Sequence, residues 1–248
     1  MALTEKDLAI LEKFDFDTQP VAVKFLAERP DVVARLDRNI ALCEMLKHAM
    51  DGHAFYADVE SHTCPAGPYV LGQSEGEETF VSGRFGAGLR IYEEPRAASK
   101  LYLHIPTIRK GAVNYVVFSP LDKLSYDPDL LILLTNTSQA EILLRAMSYR
   151  TGQPWLSKYS SAIGCAWLFV HPYLTGELNY VSTGLGHGMK RRKLFPEGLQ
   201  LISIPTDILP SMLQTLREMP WALPAYEPDG PEFVGRLLAQ LGLAPPGQ

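Results

Sequence analysis

The chain carries an internal echo. Val81-Ser82-Gly83-Arg84-Phe85-Gly86-Ala87-Gly88-Leu89-Arg90 returns as Val181-Ser182-Thr183-Gly184-Leu185-Gly186-His187-Gly188-Met189-Lys190, a shift of 100 residues. Four positions are identical, and three more keep their kind. The same shift, give or take one, carries Cys64 onto Cys165 and His104-Ile105-Pro106-Thr107 onto Ser203-Ile204-Pro205-Thr206. Self-similarity at a long period constrains a fold more than any local propensity does. It predicts two pseudo-symmetric repeats of about 100 residues, near 19–119 and 128–219, with a C-terminal extension over 220–248. All of this fits one domain of 248 residues. A site would then lie where the copies meet.

Secondary-structure signals alternate. Pro20 to Leu26 is β-branched and apolar, and reads as a strand. Asp31 to Leu36 reads as a helix. Ile40, Cys43, Leu46, Lys47 and Met50 fall at helical spacing after a cap at Asn39 and before the stop Asp51-Gly52. Cys64-Pro65-Ala66-Gly67 opens a short helix, with Pro65 at its first position and Cys64 beside the cap. Further strands are expected at Leu101–Ile105, Val113–Phe118, Leu130–Leu134 and Leu199–Ile204. Further helices are expected at Pro95–Lys100, from a Thr137 or Ser138 cap to Tyr149, from Asp207 to Glu218, and at Glu232–Leu241. The pattern is α/β or α+β, with a mixed sheet covered by helices.

A net charge of −5 gives no general attraction to nucleic acid or anionic lipid, so neither partner is expected. The N-terminus lacks the apolar core of a secretory signal. No apolar run approaches the roughly 18 residues that span a bilayer. Three cysteines far apart do not form a disulfide framework, which fits a cytoplasmic chain with free thiols or metal ligands. The apolar content of the Pro-rich C-terminal region offers a homodimer contact.

Cys43, Cys64 and Cys165 are the sharpest chemical candidates. Three thiolates with one open position could hold an iron–sulfur cluster, or zinc with an exchangeable fourth ligand. The competing reading is that they are packed as small hydrophobes. Gly184, Gly186 and Gly188, followed by Lys190, could let the backbone approach a small-molecule ligand, or form a turn that packs one repeat on the other. His187 stands where the first copy has Ala87, and is the candidate base, donor or ligand. His62 is placed to act behind Cys64. No G-x-G-x-x-G, P-loop or G-x-S-x-G pattern is present. Two rival readings remain: an anion-binding module using Arg84, Arg90, Lys190 and Arg191, and a thiol enzyme with Cys64 activated at a helix N-terminus.

Pro20-Val21-Ala22-Val23-Lys24-Phe25, Leu42-Cys43-Glu44-Met45-Leu46-Lys47 with Ala49 and Gly52, and Cys64-Pro65-Ala66-Gly67 with Leu71-Gly72 resemble the DUF169 family of bacteria and archaea. Gly164-Cys165 and the segment from Ser182 to Lys190 are similar too. The resemblance covers about Thr18 to Glu218 and implies no established reaction. It does strengthen the expectation of cysteine ligation. Family members carry a further cysteine in the last glycine segment, where this chain has Leu185 and His187, so the resemblance implies His187 as a substitute ligand.

Overall fold

The computed structural model of the chain describes residues 5–31 and 33–243. Six strands form one sheet: β1 (Val21–Leu26), β2 (Phe55–Ala57), β3 (Tyr115–Pro120), β4 (Leu130–Thr135), β5 (Asn179–Ser182) and β6 (Gln200–Pro205). Their order is β2-β3-β1-β4-β6-β5. Every strand pairing is antiparallel. Among the described residues, parallel contact is confined to two isolated bridges, Arg35 with Tyr56 and Ile40 with His62. The expected helix-covered sheet is present, in its α+β form, with antiparallel pairing in place of the mixed pairing expected.

The helices follow in chain order as α1 (Glu5–Glu12), α2 (Leu42–Met50), α3 (Ala66–Val70), α4 (Glu78–Val81), α5 (Arg84–Gly88), α6 (Pro95–Leu101), α7 (Thr137–Ser148), α8 (His171–Thr175), α9 (His187–Arg191), α10 (Leu209–Glu218) and α11 (Gly230–Gln240). A π-helical turn, Ala166–Val170, leads directly into α8.

Strand alternation sorts the sheet into two faces. Val21, Val23, Phe25, Leu130, Ile132 and Leu134 face α2 and the π-turn. Leu131, Leu133, Ile202 and Ile204 face the other way, into a core built with α1, α7 and α10. β4 is buried along its whole length, which is why its sequence is an unbroken apolar run rather than an alternation. After it, Asn136 caps α7. Its Oδ1 accepts from the Gln139 amide at 2.9 Å, and Gln139 Oε1 accepts from the Asn136 amide at 2.9 Å. The cap thus falls one residue before the expected Thr137.

Three local expectations fail for identifiable reasons. Leu101–Ile105 is not a strand: α6 runs to Leu101, and Leu103 is 81% exposed with no sheet beside it. The described part of 31–36 holds no helix; Arg35 there bridges to Tyr56 and clamps Asp58 through two 2.8 Å hydrogen bonds. Asn39 does not cap α2. Ala41 does, and Glu44 Oε2 accepts from its amide at 2.8 Å.

The hundred-residue echo does not yield equal local structure. Val81 ends a helix, whereas Val181 lies in β5. His104 sits in a turn, whereas Ser203 lies in β6. β5 has β6 to pair with, and residues 78–88 have no strand alongside. What the two segments share is a left-handed glycine before a short helix: Gly83 at φ +80° before α5 and Gly184 at φ +88° before α9.

The sheet has a two-fold pattern of its own. β1 meets β3 over six pairs, from Val21–Pro120 to Leu26–Tyr115, and β4 meets β6 over six, from Leu130–Pro205 to Thr135–Gln200. β2 joins the outer edge of β3 at Phe55–Phe118, and β5 joins that of β6 at Asn179–Ser203. β1 and β4 meet at the centre through Val21–Ile132, Ala22–Leu131 and Val23–Leu130. By this pattern α2, before β2, corresponds to the π-turn and α8, before β5. α3, after β2, corresponds to α9, after β5.

Phe118 is fully buried between Phe55 and Phe169, with ring centroids 5.3 and 6.0 Å away. Phe118→Ala is expected to cost about 3 to 5 kcal/mol in urea unfolding. Leu103→Ala, on the surface, is expected to stay within about 0.5 kcal/mol.

Candidate functional site

Two backbone links bring the relevant segments together. In the first half, Ile40 donates to Ser61 O at 2.9 Å and Thr63 donates to Ile40 O at 3.3 Å. This ties the entry to α2 against the strand leading to Cys64. In the second half, the His187 amide donates to Ser161 O at 2.8 Å, tying the start of α9 to the segment before Cys165. Each half therefore presents the residue that opens one helix beside the residue that precedes or opens another.

These four openings surround one cavity of about 200 Å³. Cys43, Cys64, Cys165 and His187 all line it, together with Gly186 and Gly188. Gly184 and Lys190 do not. They line a neighbouring hollow, where Lys190 pairs with Glu197 at 3.1 Å. Of the rival anion set, Arg191 lines the cavity, and Arg84 and Arg90 are not among its lining residues.

The outer wall is helical and comes from the first half. Gly83, between α4 and α5, lies so close to the Pro95 carbonyl that a Cβ would collide with it. This packs α5 onto α6 and turns Phe80, Phe85 and Tyr102 toward the cavity. Tyr92 joins this wall to the second half through a 3.1 Å hydrogen bond between its hydroxyl and Ser161 Oγ. On the far side the Tyr159 hydroxyl lies over Gly186 and Gly164, in space that a Cβ would fill. Gly186 is needed there for close packing.

The cysteines have no disulfide partners. Cys43 and Cys165 are half-buried residues on the cavity lining, and burial desolvates both thiols. Burial pushes Cys43 up to about 11; Arg192 opposes the rise, while Cys64 and Glu44 add to it. Burial pushes Cys165 up further, helped by Cys43 and Cys64. The Tyr159 hydroxyl is pushed up to about 12 by burial and by Cys165 and Cys43. Each of these groups stays protonated at neutral pH and resists the ionisation of its neighbours. Cys64 precedes Pro65, the cap of the five-residue α3. So short a helix supplies little dipole for thiolate activation.

An ion pair crosses the cavity wall between the halves. Arg192 Nε donates to Glu44 Oε2 at 3.2 Å, and Arg192 Nη1 donates to Gly188 O at 3.2 Å. Glu44 thus holds the first turn of α2, which carries Cys43, and anchors the last residues around α9. The sequence shows both residues but gives no sign of a contact across 148 positions.

His62 does not reach the cavity. Its Nδ1 packs 2.7 Å from where Gly67 would carry a Cβ, and among the described residues neither ring nitrogen has a partner in good hydrogen-bond geometry, Gln73 being a neighbour only. Burial holds it down to about 4, against the raising influence of Gln73 and Asp58.

The chain belongs to the DUF169 family, described as uncharacterised ArCR, whose profile matches residues 9–215. It is similar to an uncharacterized protein of Methanocaldococcus jannaschii, with 23% identity over 219 residues that span 86% of this chain and 93% of that protein. No solved structure matches the chain.

Two outcomes follow from the thiol and imidazole environments. With its thiol near 11 rather than the ordinary 9.0, Cys43 is expected to react with iodoacetamide about a hundredfold more slowly at pH 8 than an ordinary thiol, its rate still climbing up to pH 11. Mass spectrometry of the alkylated sites checks this. His62 takes up a proton near 6.5 when unfolded, but only near 4 when folded. Its contribution to stability is therefore present above pH 6.5 and lost as pH falls toward 4. Urea midpoints across that range are expected to fall less steeply in His62→Gln.

Proposed function

We propose that the cavity holds a cysteine-ligated iron–sulfur cluster and admits a small molecule beside it. The observation that supports this most is the convergence of Cys43, Cys64 and Cys165 on one cavity, where burial opposes thiolate at Cys43 and Cys165. Negative sulfurs in such a space are tenable around a cation, which also displaces their protons.

Among the described residues, no group of three or more His, Cys, Asp or Glu is gathered as a metal-ion site. The proposal therefore rests on the three cysteines and His187 lining the same cavity, the donor types that hold iron–sulfur clusters. A bound cluster would supply electron transfer, or Lewis-acid chemistry at an iron lacking a fourth sulfur.

The chain's own residues have separate tasks. Arg192 offsets negative charge at Cys43 and is itself steadied by Glu44. Phe80, Phe85 and Tyr102 keep bulk water from the thiols. Among the described residues no helix is long and apolar enough to cross a membrane. We assign the protein to the reducing cytoplasm, where its three thiols remain unpaired, with no nucleic-acid or membrane partner; a homodimer contact through the C-terminal region is part of the same reading.

Anaerobic purification with absorption spectroscopy and iron and sulfide analysis tests the proposal. Coloured protein containing iron and acid-labile sulfide is expected, with iron content falling severalfold in Cys165→Ser. Colourless, iron-free protein whose three thiols titrate freely under strict anaerobiosis would refute it.

A further inference from the structure

We infer that the cavity selects a small organic carboxylate with an apolar body, and that Arg191 receives the carboxylate. This rests on the cavity being the small-molecule site proposed above, and not on the cluster.

The lining has an unusual charge inventory. The whole chain carries a net charge of −5, yet among the described residues no Asp or Glu lines this cavity. Its side-chain polar groups are the three thiols, the hydroxyls of Thr63, Tyr92 and Tyr102, His187, and two guanidinium groups. Such a wall is rich in donors and poor in strong acceptors. An amine would find no carboxylate there, whereas an acid finds several donors.

The two arginines differ. Arg192 is committed, held by Glu44 and by the Gly188 carbonyl, both at 3.2 Å. Arg191, its neighbour in α9, is exposed, and its guanidinium makes no hydrogen bond or ion pair among the described residues. Nearby, Lys190 is paired with Glu197. The planar fork of one uncommitted guanidinium matches one carboxylate in bidentate geometry. A phosphate dianion would keep excess charge against apolar walls.

Those walls set the rest of the ligand. Phe80 and Phe85 stack with centroids 4.5 Å apart at 29°. With Ile91, Leu101 and Met189 they line the cavity with hydrocarbon. Phe85 remains 42% exposed, an aromatic surface open to a flat or aliphatic body. The ligand is thus an acid at one end and hydrophobic at the other.

Calorimetric titration of the metal-free full chain with phenylacetate, phenylacetamide and phenethylamine tests this. Phenylacetate is expected to bind at least about tenfold tighter than the amide or the amine. Arg191→Ala is expected to erase that preference, Arg191→Lys to retain part of it, and Phe85→Ala to weaken phenylacetate and phenylacetamide alike. Equal binding of amide and acid, an unchanged preference in Arg191→Ala, displacement of phenylacetate by equimolar inorganic phosphate, or no binding at all would each overturn the inference. Colourless protein that still selects phenylacetate would count against the cluster alone. Iron-bearing protein whose metal-free form shows no acid preference would count against the carboxylate alone.

Discussion

Three residue pairs at the centre of the sheet join the halves of this molecule: Val21–Ile132, Ala22–Leu131 and Val23–Leu130. Where the pairing ends, Asp129 continues it with its side chain, accepting from Lys24 Nζ at 2.6 Å and from the Phe25 amide at 2.8 Å. A slip of one residue at this seam would turn Leu130, Ile132 and Leu134 to the opposite face. The apolar face shared by α2 and the π-turn would then be broken in the middle. Because the seam holds, one continuous face carries a helix from each half, and the cavity forms among their openings.

The cavity combines buried thiols and hydroxyls with two guanidinium groups. Two of its thiols are pushed up by burial and by their neighbours. The Tyr102 hydroxyl is pushed up to about 12 for the same reasons. The charges that do stand there are either cationic or tied up, as Glu44 is with Arg192. Thiols together with guanidinium groups favour ligands that bring a soft cation or an anionic head, and disfavour organic cations. Both proposals rest on this single electrostatic character and differ in which groups answer it.

The two halves are not equivalent chemically. The first contributes the aromatic outer wall over α4 to α6, attached across the cavity by Tyr92 and Ser161. The second contributes α9 with its guanidinium groups, and the π-turn that opens at Cys165. π-helical turns are uncommon and often occur at functional sites. Here the turn follows a residue of the cavity wall. Asymmetry laid over a symmetric sheet gives the cavity an apolar side and a cationic side.

Several of these features were legible in the residues alone. The apolar run of β4, the spacing of α2, the Cys64-Pro65 helix entry and the candidacy of the three cysteines each follow from local chemistry, because periodicity and capping act over a few residues. The glycine echo was also real as sequence, but the two left-handed glycines, Gly83 and Gly184, fall one position apart within it. It misled about the backbone before those glycines, since strand formation at Val181 depends on β6 lying alongside. The meeting of the three cysteines at one cavity, the Glu44–Arg192 pair, the Tyr159 hydroxyl over Gly186 and the separation of Lys190 from the cavity were decided only by tertiary structure. Each depends on distance between segments tens to hundreds of residues apart, and nothing in local composition encodes which remote segment will arrive.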